Sequence, residues 1–135
     1  MQTVRYLLIV AVVALPLPCA ADDASTLSAW YDALIAADRQ RIGDLLTDDA
    51  RIHLDDLGIE QSKEEFLAAL DEWEESVRGA DIRYRVDGEQ DGMAIVAVCY
   101  EFPGNQVLMN EQFRIDADRI RASVQSNVSD DCGDL

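Results

Sequence analysis

Positive charge is what this chain has least of: 11 lysines and arginines stand against 27 aspartates and glutamates, a formal net charge of −16. A surface with that balance repels phosphate backbones and anionic lipid faces, which argues against nucleic acid and membrane surfaces as partners. Histidine occurs once, as His53, and the three cysteines form no CxxC pair, so no metal-ligand spacing exists and neither metal nor cofactor is expected. No apolar run reaches the roughly 20 residues that span a bilayer. Internal repeats, linkers and low-complexity segments are also missing. Hydrophobic residues are not: they make up 49% of the chain, so its acidity is not a mark of disorder.

The longest apolar run, Tyr6–Leu17, follows Arg5 and precedes Cys19-Ala20-Ala21. A positive start, a short greasy stretch and small residues for a peptidase are the layout of a secretory signal over residues 1–21. The remaining residues 22–135 suffice for one domain with a modest core, periplasmic or secreted and with no membrane attachment once the signal is removed. Arg5 is the only charged residue of the signal, so 10 basic and 27 acidic residues remain and the formal charge becomes −17. A lipoprotein signal would lipidate Cys19, but the residue before such a cysteine is normally small, and here it is Pro18. Two fates are open to Cys99 and Cys132 in an oxidising compartment. They bridge, closing a loop of about 30 residues worth about 3 kcal/mol, or Cys99 is a small buried hydrophobe and Cys132 sits in a loose tail.

Leu27, Trp30, Tyr31, Leu34 and Ile35 recur at helical spacing and predict an amphipathic helix over residues 24–37. Asp38 caps a second, short helix carrying Ile42, Leu45 and Leu46, which stops at Thr47-Asp48-Asp49. Residues 50–55 alternate as a brief strand, with Ile52 and Leu54 on one side and Arg51 and His53 on the other. Ser62 and Glu65 form a capping box that starts a third helix with Phe66, Leu70, Trp73 and Val77 on one face, ended by Gly79. From residue 81 the period becomes two. Ile82–Val86, Met93–Phe102, Val107–Ile115 and Arg119–Val128 are strands, separated by turns at 87–92, 103–105 and 116–118. Short turns make the strands antiparallel, so the chain is α+β: three helices and one early strand, then a four-stranded meander.

Five fragments in this order, Trp30-Tyr31-Asp32-Ala33-Leu34, Ala37-Asp38, Leu45 to Ala50, Glu65-Phe66-Leu67 and Gln112-Phe113-Arg114-Ile115, resemble the NTF2-like superfamily. That superfamily includes nuclear transport factor 2, SnoaL-like cyclases and ketosteroid isomerases. The resemblance covers residues 25–128 and implies a cone in which three N-terminal helices pack on a curved antiparallel sheet around a pocket. Of the isomerase residues, the helix-1 tyrosine falls on Trp30, the general-base aspartate on Leu54 and the protonated acid on Glu111. One acid of three survives, so ketosteroid isomerisation by that mechanism is not expected. Fold alone does not give function.

Glu111 stands out without any family argument. It sits among Val107, Met109, Phe113 and Ile115 on one face of its strand, where burial would raise its pKa and make it a proton donor. The plainer alternative is a rim position or an internal partner such as Arg51 or His53. His53, or Asp55 beyond it, is the candidate base, although alternation turns His53 away from the face of Leu54. The expected pocket lining is Trp30, Tyr31, Leu34, Leu54, Phe66, Trp73, Tyr84, Tyr100, Met109 and Phe113, which suits an apolar, ring-bearing ligand. Arg83, Arg85, Arg114, Arg119 and Arg121 fall at outward sheet positions, either as a solvated face or as the face of a homodimer. Three readings follow. The chain binds a small apolar molecule or envelope partner without catalysis; or it performs SnoaL-like proton-transfer chemistry with Glu111 as acid; or it is structural, with a filled cone.

Overall fold

The computed structural model describes residues 20–135. Residues 1–19, with Cys19 and most of the expected export signal, lie outside the described residues. Helix α1 (Ala20–Ile35) buries Leu27, Trp30, Tyr31 and Leu34 as one stripe, as their spacing predicts. The chain reverses through Ala37, and Asp38 then caps α2 (Arg39–Leu45) by accepting from the Arg41 N–H at 3.0 Å. Strand β1 (Leu46–Leu54) leads through a 3₁₀ turn (Asp55–Leu57) to β2 (Ile59–Ser62), which pairs antiparallel with it. Ser62 Oγ accepts from the Glu65 N–H at 3.2 Å and so begins the third helical segment, as expected. That segment is divided into α3 (Lys63–Ala68) and α4 (Leu70–Ser76) at Ala69, whose dihedrals stay right-handed and whose N–H is shared between the Glu65 and Phe66 carbonyls.

The meander is β3 (Asp81–Gln90), β4 (Met93–Phe102), β5 (Asn105–Asp116) and β6 (Arg119–Ser129). All six strands form one sheet in the order β2-β1-β6-β5-β4-β3. Four of its pairings are antiparallel; β1 runs parallel to β6. A parallel neighbour needs a long crossover, which periodicity within a strand does not reveal. Strand β2 was not foreseen either, because four residues carry no readable alternation. The segment 87–92, expected as a turn, is mostly strand: a bulge at Val86–Gly88 bends β3, Gly88 takes φ 148°, and only Asp91-Gly92 turn.

One face of the sheet packs Ile52, Val96, Val98, Phe113 and Ile120 against α1 and Ile42 of α2. The opposite face carries Cys99, joined by a disulfide to Cys132 so that the C-terminal tail is held against β4, with a Cα–Cα distance of 5.6 Å. Among the described residues, no helix is long and apolar enough to cross a membrane.

Candidate functional site

Glu111 lies on the inner face of β5, opposite Val96 of β4 and Gln125 of β6, and is 1% exposed. Its two oxygens are taken separately. Tyr31 Oη on α1 donates to Oε1 at 2.8 Å, and Tyr100 Oη on β4 donates to Oε2 at 2.6 Å. No cation pairs with it among the described residues. Burial raises the Glu111 pKa, and the two tyrosine hydrogen bonds oppose that rise only in part. Burial together with the neighbouring carboxylate pushes both tyrosines upward as well, so they remain hydroxyl donors. Tyr31 stacks on Tyr84 with ring centroids 4.5 Å apart and meets Phe113 edge-on, which fixes where its hydroxyl points.

A cleft of about 320 Å³ opens between α1, α3, α4, β1, β2 and β4. Its walls are Leu34, Leu54, Phe66, Leu70, Trp73 and Tyr100, and Gln61, Ala69, Glu72 and Ser76 complete it. The Trp73 indole N–H donates to the Leu34 carbonyl at 2.8 Å, strapping α4 to the end of α1, and the Trp73 ring meets Tyr100 edge-on. Tyr100 is therefore shared: its ring faces the cleft and its hydroxyl holds Glu111 behind it.

Of the expected lining residues, Leu34, Leu54, Phe66, Trp73 and Tyr100 meet at this cleft. Trp30, Tyr31, Tyr84, Met109 and Phe113 instead belong to the packed core or its margin. Trp30 is wholly buried against Phe66 and Phe113, and among the described residues its indole N–H has no acceptor, nor has the buried Ser123 hydroxyl a partner. His53 stands opposite Val124 of β6, on the far side of the sheet from Ile52, and pairs with Asp55 at 3.4 Å. Asp55 also accepts from Ser126 Oγ. Neither residue reaches Glu111 or lines the cleft. Gln61, Ala69, Leu70, Glu72 and Ser76 were missed as lining residues. The signal for three of them was present, since Ala69, Glu72 and Ser76 recur at helical spacing beside the apolar face of Phe66, Leu70, Trp73 and Val77. No group of three or more histidine, cysteine or carboxylate side chains could hold a metal ion among the described residues.

No family model matches the chain, and no curated protein matches it significantly in sequence. Solved structures do match in shape. An NTF2-like protein of unknown function from Burkholderia xenovorans LB400 superposes with a TM-score of 0.67 at 17% identity, covering 81% of this chain and 84% of that one. A candidate ketosteroid isomerase from Kribbella flavida DSM 17836 gives 0.64 at 12% identity, over 81% and 79% of the two chains. IdmH of Streptomyces antibioticus, a candidate polyketide cyclase, gives 0.65 at 14% identity, over 77% and 90%. Three helices of seven or more residues on a curved six-stranded sheet, matched in this way, give the chain the NTF2-like cone fold.

Proposed function

We propose that this chain binds a small, apolar, ring-bearing molecule in the cleft beside Trp73 and does not transform it. The observation that carries the reading is the position of Tyr100. It lines an apolar cleft, while its hydroxyl donates to the buried carboxyl, both of whose oxygens are engaged. A proton donor has to come within hydrogen-bond reach of the reacting atom. Glu111 does not line the cleft, and His53 and Asp55 lie elsewhere on the sheet. The cleft volume is at the small end for ligand sites. The signal-like residues 1–21 and the Cys99–Cys132 disulfide support a periplasmic or secreted location, because disulfides persist in oxidising compartments.

The test uses N-phenyl-1-naphthylamine, whose fluorescence rises when it leaves water. The wild-type chain binds it saturably, and Ala69→Trp, which fills the cleft from an exposed position, weakens binding at least about tenfold with little change in stability. Binding that ignores the added indole would overturn the assignment.

A further inference from the structure

The ten residues around the cleft include one carboxylate, Glu72, and no lysine, arginine or histidine. Three aromatic residues, Phe66, Trp73 and Tyr100, line the same cleft. Among the described residues the Glu72 carboxylate has no ion-pair partner, and neither do Glu64, Glu65, Glu74 and Glu75 on the same two helices. Of the cations around these helices, Lys63 is paired with Asp48 and donates to the Leu46 carbonyl, Arg39 is paired with Asp71 and donates to the Leu67 carbonyl, and Arg51 is paired with Glu60. Arg78 lines a neighbouring surface depression with Phe102 and Pro103, which shares Ser76 with the cleft.

From this lining we infer that the ligand of the cleft is an apolar cation, an aromatic or aliphatic amine or quaternary ammonium, rather than a neutral or acidic molecule. This rests on the binding reading above and narrows its chemical class. An ammonium group beside the rings gains attraction from their negative faces, and Glu72 at the rim supplies a counter-charge. The surplus of 16 negative charges enriches cations near the mouth. A carboxylate or sulfonate ligand would meet none of the compensating cations that a charged group needs on leaving water.

Three probes of one shape separate charge from greasiness: benzyltrimethylammonium, its carbon isostere neopentylbenzene, and benzylsulfonate. Binding is followed by chemical-shift changes at the Trp73 indole N–H. The cation binds about tenfold more tightly than the isostere, and the sulfonate most weakly. Raising salt from about 50 mM to about 500 mM weakens only the cation, by a few-fold, because the Debye length shortens. Glu72→Gln, an exposed change that leaves the core untouched, reduces the cation's advantage about threefold and leaves the isostere unchanged. Equal affinity for cation and isostere, or tighter sulfonate binding, overturns the inference while the apolar cleft stands. No binding of any of the three, together with no binding of the naphthylamine, overturns the reading beneath it.

Discussion

Glu111 joins sequence to stability most directly. A carboxylate among apolar neighbours is costly to desolvate, and among the described residues two neutral hydroxyls answer it. Its native pKa is raised, so the folded state holds the proton more tightly than the unfolded chain. The stability that this provides is complete below the unfolded value and is lost as pH rises through the higher native value. The loss amounts to about 1.4 kcal/mol for every pH unit over which the native group stays protonated while the unfolded one ionises. Glu111→Gln keeps the shape and a hydrogen-bonding amide but cannot titrate. Denaturant unfolding between about pH 5 and pH 8 will show wild-type stability falling relative to that variant. Parallel curves for the two proteins would contradict the raised value. Sequence alone placed Glu111 in an apolar stripe; it did not show that Tyr31 and Tyr100, 80 and 11 residues away, would supply the partners.

Among the elements, α4 is held by the Trp73 strap beside the exposed Arg39–Asp71 pair. Seven residues make a helix too short to stand alone in water, and the Trp73 indole ties it to the carbonyl of Leu34. Trp73→Phe retains an aromatic ring near Tyr100 and Phe102 but leaves the Leu34 carbonyl with the Ala37 N–H as its remaining donor. Losing one such hydrogen bond costs about 1 kcal/mol. Urea unfolding measures the total, and amide hydrogen exchange should show the change concentrated in residues 70–76. Exchange that rises evenly along the chain would mean the strap does not act locally. The periodicity of Phe66, Leu70, Trp73 and Val77 was legible in the sequence. The division at Ala69 was not, because alanine favours helix and the break leaves its dihedrals right-handed.

For the whole molecule, the outer sheet face raises the question of assembly. Its five arginines are occupied within the chain: Arg83 by Glu101, Arg85 by Asp87, Arg121 by Asp49 and Asp116, Arg114 by the Asp91 carbonyl, and Arg119 by the Asp44 and Leu46 carbonyls. Between them, register places Ile95, Ala97, Asn110, Gln112 and Val124, all uncharged, beside the tail that Cys132 holds against Cys99. We propose that two chains pair across this strip, since the repulsion expected from facing arginines is already neutralised in part within each copy. Light scattering at micromolar concentration then gives twice the chain mass, and Ala97→Glu, placed opposite Asn110 in the strip, gives the single-chain mass. A monomer in the wild type removes the proposal.

By itself the sequence determined whatever depends on neighbours a few residues apart. Helical and alternating spacing marked α1, α2 and the four strands of the meander, and hydroxyl and carboxylate caps marked where helices begin. The quoted fragments, read in order, pointed to the cone. Tertiary structure alone decided what depends on distant residues meeting: the parallel seating of β1 on β6, the short edge strand β2, and the division of the aromatic residues between core and cleft. Local periodicity reports which side of an element is apolar. It cannot report whether that side meets another wall or an opening, because only the packed elements determine where space is left.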